Sequence, residues 1–216
     1  MDFISSILQS LLNILFNFTG DLGIAIVIIT LLVKILLMPL SIKQKISMRK
    51  QQDLAEKMNE IKEKYKNNSK ELEAQLQKYS KESVKGMLGC ATLLLQMPVI
   101  YSLYRTFLNM PHGYSSILIP WISNLNVPDN LFIIPCIYTL TMLAPNLINY
   151  IPYFKSSSQA LFNKHTLVTT VIMSVILTIR TPVAIGIYFI TSSIYSFIEE
   201  IFFKIYIKQK NKVITN

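Results

Sequence analysis

Histidine and cysteine are scarce in this chain, two of each in 216 residues, and that scarcity removes most catalytic and metal-binding chemistry. His112 and His165 fall in loops expected on opposite sides of a membrane, and Cys90 and Cys136 lie in or beside apolar runs without metal-ligand spacing. Both thiols are expected to be buried and structural. No Gly-rich phosphate loop, paired acidic site or serine-elbow motif occurs. The chain is therefore not read as an enzyme, and no cofactor or metal is assigned. Charge is thin as well: 15% of residues are charged against 51% hydrophobic, with a mean hydropathy of +0.41. That balance excludes an ordinary soluble domain and indicates an integral membrane protein. Acidic residues number 12 against 21 basic ones, for a net charge of +9. The basic residues gather in one segment and the tail while the aromatics sit in the apolar runs, so membrane orientation explains them better than sequence-specific nucleic-acid binding. The first twenty residues lack a positive leader, Asp2 being the only charge before Asp21. They are expected to form an amphipathic interfacial helix, with Phe3, Ile4, Ile7, Leu11, Ile14, Leu15 and Phe18 on its apolar face.

Five apolar stretches qualify, or nearly so, as membrane spans: 22–40, 88–108, 131–153, 166–179 and 183–203. The fourth is short. Its helix would reach only about 21 Å against a hydrocarbon core of about 30 Å. Lys and Arg count twelve in 41–85, none in 109–130, two in 155–164, one at Arg180 and four in 204–212, with Lys34 and Arg105 inside apolar runs. The alternation places the N-terminus outside and the first loop and C-terminus in the cytoplasm. The expected architecture is an all-α membrane protein with an interfacial helix over 1–20, a first span over 21–41 and a cytoplasmic helical hairpin over 42–86. Spans two to five follow over 87–207, and a short basic tail over 208–216. The hairpin reading rests on an apolar seam of Met48, Leu54, Met58, Ile61 and Tyr65, a turn at Asn67-Asn68-Ser69, and a second seam of Leu72, Leu76 and Tyr79.

Lys34 is the chief functional candidate, because a cation at mid-bilayer costs roughly 2.5–3.5 kcal/mol on insertion scales and is retained for a task. Its three donors need water or acceptors. Thr30 lies four residues away on the same helical face. Gln96, Thr139, Thr141, Asn146, Tyr188, Thr191, Ser192 and Ser193 offer further polar groups in other spans. The simplest arrangement is a bundle with a wet, positively charged groove, although each hydroxyl taken alone also fits helix packing. Thr170, Ser174 and Thr178 form a stripe that reads as such a packing seam. Glu199 and Glu200, at the end of the fifth span, are expected at a solvated boundary. A small-solute or ion transporter and a non-catalytic assembly adaptor remain alternative readings of an intramembrane lysine.

The strings Leu32-Val33-Lys34-Ile35-Leu36-Leu37-Met38-Pro39-Leu40-Ser41-Ile42-Lys43-Gln44 and Leu88-Gly89-Cys90-Ala91-Thr92-Leu93-Leu94-Leu95-Gln96-Met97-Pro98-Val99-Ile100-Tyr101-Ser102-Leu103-Tyr104 resemble the two signature regions of the YidC/Oxa membrane insertases. The resemblance extends from about residue 22 to 207. It implies a short bacterial plasma-membrane insertase without a large periplasmic domain, whose clients are nascent or newly made membrane proteins. The ribosome, the Sec translocon and the lipid bilayer are the implied partners. It also places the family's groove arginine at Lys34 and client-contacting positions at Thr30, Gln96, Tyr188 and Ser192. The departure from arginine has a physical meaning, because lysine loses its proton far more readily than arginine when desolvated. A specialised paralog with altered client choice is therefore expected.

Overall fold

The computed structural model describes residues 2–66, 71–73, 97, 100–102, 104–105, 115–148 and 164–215. The regular structure among them is helical throughout, in five main elements: α1 (Asp2–Thr19), α2 (Leu22–Lys64), α3 (Ile133–Leu147), α4 (Lys164–Thr178) and α5 (Val183–Thr215). Among the described residues two helices are long and apolar enough to cross a membrane, α2 and the part of α5 over Val183–Gln209. The expected second span, the second arm of the hairpin, Cys90 and Gln96 lie largely or wholly outside the described residues.

Helix α2 runs unbroken for 43 residues, about 65 Å at 1.5 Å per residue, and so covers the expected first span and the expected first hairpin arm as one rod. Pro39 lies within it without ending it. Downstream of Ser41 the sequence is rich in Lys, Gln, Glu and Met, all good helix formers, with no further Gly or Pro to stop the helix. It ends at Tyr65, whose N–H bonds to the Ile61 carbonyl at 3.0 Å. Leu54, Met58, Ile61 and Tyr65 are half-buried and Met48 is exposed, so the first arm's seam is only partly covered.

The turn between α1 and α2 depends on Gly20. Its φ of +69° lies in the left-handed region that glycine adopts without steric cost, and its N–H closes α1 on the Phe16 carbonyl at 2.8 Å. Asp21 then caps α2, accepting from the Ile24 N–H at 2.9 Å. The same carboxylate accepts from the Ser116 hydroxyl and the Ile117 N–H, each at 2.7 Å, and so lashes the 115–132 loop to the head of α2. That loop also caps two other helices. The Val127 and Leu125 carbonyls accept from the Val183 and Ala184 N–H groups, each at 3.0 Å, which satisfies donors that the first turn of α5 cannot pair internally. Buried Asp129 accepts from the Ile134 N–H at 2.8 Å at the head of α3. The segments that charge alternation assigns to one side of the membrane thus meet at one end of the bundle.

Most of the apolar core lies at this end. Leu8 and Leu12 of α1, Leu22, Ala25, Ile26 and Ile29 of α2, Ile119, Ile122 and Leu125 of the loop, and Val183 to Ile185 of α5 form a single buried cluster. The packed face of α1 differs from the expected one. Leu8 and Leu12 face the bundle, whereas Ile7, Leu11, Ile14 and Phe18 are exposed, because α1 has apolar residues on more than one face and docking on α2 selects among them.

Burial opposes the charged form of Asp21, but the Ser116 hydroxyl and the N–H groups of Ile117, Ile24 and Gly23 outweigh it and hold the carboxyl below its ordinary value of 3.8. A carboxyl lowered on folding contributes stability above its unfolded value, and this is lost as pH falls through the folded value. The cap is therefore intact at neutral pH and fails only below about pH 3.8. Asp21→Ala should remove it at all pH values, costing about 2 kcal/mol. Hydrogen-exchange protection across 115–132 checks this: protection in the native chain should fall only in that acid range, while the variant should already be weakly protected at pH ~7.

Helices α3 and α4 have 15 residues each, about 22 Å. Helix α4 covers most of the expected fourth span, and its first residue borders residues outside the described ones. Its Ser174 and Thr178 are buried, and the Ser174 hydroxyl pairs with Thr139 of α3 at 2.8 Å, so this stripe is a packing seam. Tyr138 of α3 stacks on Phe189 of α5 with centroids 5.3 Å apart. Cys136 is exposed, contrary to expectation. Ile134 and Tyr138 turn toward the core, while Cys136, Ile137 and Leu140 lie on the other side of α3, an apolar face on which a thiol serves as a small hydrophobe.

A charged seam between the second and last helices

Helices α2 and α5 leave the capped end together and run in the same direction, each presenting a polar row at helical spacing. On α2 the row is Thr30, Lys34, Ser41 and Lys45, and on α5 it is Tyr188, Ser192, Ser196 and then Glu199 with Glu200. Lys34 lies one turn beyond Thr30, just past the apolar cluster. Its ammonium does not turn out toward lipid. It donates to the Ser196 hydroxyl at 3.4 Å, a long bond that leaves most of its capacity for other acceptors. Lys45 reaches the same turn from the opposite direction, donating to the Ser196 carbonyl at 3.5 Å and to Glu200 Oε2 at 2.8 Å.

Glu199 completes the cluster. Its side chain is 7% exposed, it follows Ser196 by three residues on the same side of α5, and its Oε1 has no hydrogen-bond partner among the described residues. The expected solvated-boundary role fails for this residue. Glu199 and Glu200 are adjacent but about 100° apart around the helix, and packing against α2 turns Glu199 inward. Two lysines thus converge on one turn of α5 that carries two glutamates. No bond-breaking group stands near them among the described residues. The arrangement can hold, orient and exchange charged groups along a helix interface.

The family profile described as "60Kd inner membrane protein" matches residues 14–211. The chain belongs to this family, the YidC/Oxa membrane insertases. Curated relatives named membrane protein insertase YidC include that of Wolinella succinogenes, 33% identical over 193 residues, covering 89% of this chain and 35% of the relative. The Helicobacter pylori protein is 31% identical over 204 residues, covering 94% of this chain and 36% of the relative. The Clostridium perfringens protein is 34% identical over 126 residues, covering 58% of this chain and 52% of the relative. The chain thus spans about a third of the length of the first two and half that of the third.

In this YidC/Oxa chain the expected site residues do not behave alike. Lys34 faces α5 across the seam. Thr30 is 1% exposed, and its hydroxyl donates to the Ile26 carbonyl of its own helix at 2.6 Å, so it packs and does not present a free donor. Tyr188 and Ser192 are buried on the same side of α5 as Ser196, with the Tyr188 ring 5.7 Å from that of Phe189. Gln96 lies outside the described residues. The sequence reading missed Ser196, Lys45 and the inward position of Glu199. The available signal was the four-residue spacing of Tyr188, Ser192, Ser196 and Glu200, continuous with the row on α2.

Proposed function

We propose that this chain is a membrane protein insertase of the bacterial plasma membrane. It receives newly made clients from the cytoplasm, passes their short hydrophilic tails along the polar seam between α2 and α5, and releases their apolar segments into lipid. The observation that carries the reading is an intramembrane lysine turned inward onto Ser196 at 3.4 Å. Within the seam a client tail exchanges bulk water for Lys34, Ser196 and Ser192, which lowers the cost of bringing polar groups into hydrocarbon. The short fourth apolar run, 166–179, thins the barrier that remains. The client's apolar segment then partitions into lipid, driven by about 25 cal/mol for each Å² removed from water. The process is a partition of groups between environments and needs no bond to be made or broken.

In this reading the N-terminus faces outward and the C-terminus the cytoplasm, as the loop charges direct. The first hairpin arm, with Lys43, Arg49, Lys50, Lys57 and Lys62, lies near anionic headgroups and guides clients toward the seam. The ribosome and the Sec translocon are the partners upstream and beside it. Lysine in place of the family's groove arginine marks a paralog with its own client range.

The test is replacement. Cells depleted of their own insertase and supplied with this chain should recover insertion of a single-span reporter, read by protease protection of its translocated tail. No recovery despite normal abundance in the membrane would remove the proposal.

A further inference from the structure

The seam is not simply cationic. Lys45 pairs with Glu200 at 2.8 Å, Lys34 donates to Ser196 at 3.4 Å, and buried Glu199 follows Ser196 by three residues on the same side of α5, so two positive groups meet two negative ones. Glu200 is committed to Lys45 at 2.8 Å, which leaves Glu199 as the carboxylate available to Lys34. Glu199 is nine-tenths buried, and its Oε1 accepts no hydrogen bond among the described residues. A buried carboxylate without a partner is costly, so a charge at this position needs a cation to hold it. Lys34, with one long hydrogen bond among the described residues, has donors to spare.

We propose that Glu199 is an internal counter-anion that competes with the client for Lys34 and makes the seam accept tails of either charge sign. The inference rests on the insertase reading above. An incoming carboxylate takes the spare donors of Lys34 against the pull of Glu199, while an incoming ammonium or guanidinium binds the unpartnered Glu199 oxygen and leaves Lys34 on Ser196. In both cases the incoming charge gains a partner of opposite sign, so neither sign bears the full desolvation cost. A lone groove cation would instead favour acidic tails and repel basic ones. Glu199 is thus a specificity-determining residue, and its effect is to flatten the preference.

The experiment uses the full chain in cells depleted of their own insertase, with three reporters that differ only in the translocated tail: two Asp, uncharged, or two Lys. Native chain should insert the acidic and basic tails within about threefold of each other. Glu199→Gln should shift the acidic-to-basic ratio about tenfold toward acidic tails, while Glu199→Asp should keep the native ratio. Ratios normalised to the uncharged tail do not depend on how much protein accumulates. An unchanged ratio in Glu199→Gln while the uncharged tail is still inserted would overturn the counter-anion role and leave the insertase reading standing. Failure of the native chain to insert any of the three tails would overturn the insertase reading itself. Should Glu199→Gln not accumulate, the double variant Lys34→Gln/Glu199→Gln has no orphan charge. In it the uncharged tail should lead both charged tails, and persistence of the native pattern would count against the proposal.

Discussion

Lys34→Ala is expected to reduce insertion of acidic-tailed clients by about tenfold or more, with Lys34→Arg retaining most of the native level. Two effects combine in the alanine variant. The client loses its cation, and Glu199, 7% exposed, loses a positive charge on the facing helix. Breaking a buried pair on one side costs more than deleting both partners. Because Lys34 is only half-buried, the loss of stability should be about 1–3 kcal/mol, less than for a fully enclosed pair. The two effects separate in the double variant Lys34→Ala/Glu199→Gln, which should recover abundance in the membrane without recovering insertion of acidic tails. Protease protection reads the insertion and immunoblotting of membranes reads the abundance. Equal insertion by native chain and alanine variant would remove Lys34 from the mechanism.

Gly186→Leu should have the largest effect on folding. In the first turns of α5 a β-carbon at this position falls onto Ile134 Cγ2 of α3, inside van der Waals contact. Ile134 is buried, and its branched Cβ restricts the rotamers by which it can give way. Overpacking of this kind costs typically about 1–3 kcal/mol, and leucine, adding three more carbons beyond that Cβ, should reach the upper end. Gly186→Ala should be milder, since alanine gains about 1 kcal/mol of helix propensity over glycine. Thermal unfolding in detergent, followed by circular dichroism, measures both. Ile134→Ala in the same chain should return most of the loss. Melting of Gly186→Leu within about 2 °C of the native chain would mean that α3 and α5 do not pack at this point.

Much of the arrangement was legible because membranes constrain composition so strongly. The loop charges grouped the segments that now share hydrogen bonds through Asp21, Val127 and Leu125. Lys34 stood out because a charge in such a run has few structural explanations. What was not legible depended on partners. Nothing in the pair Glu199-Glu200 says which carboxylate turns inward until α2 is beside it. The choice between Leu8 and Leu11 as the packed side of α1 is likewise made by docking, since both belong to apolar rows. Thr30 has the right position on the helix for a groove residue, but its hydroxyl bonds to the Ile26 carbonyl, a rotamer choice that spacing cannot reveal. The unbroken passage of α2 past Ser41 follows from local propensity, whereas division of the sequence into a span and a hairpin follows from polarity, and the two criteria diverge there.

The two ends of the interface between α2 and α5 are held very differently. At one end a shared loop ties the helix heads together over a tight apolar plug, through charge-assisted bonds to Asp21 that contribute about 1.5–3 kcal/mol each and backbone bonds to Val183 and Ala184 that contribute about 1 kcal/mol each. At the other, among the described residues, Lys45 and Glu200 form a partly shielded ion pair of the kind that contributes about 1 kcal/mol or less. The helices therefore behave like a clothes-peg, sprung at the sealed end and easily parted at the jaws. In the proposed insertase reading, a peptide wedges in from the weak side while the sealed end stays shut.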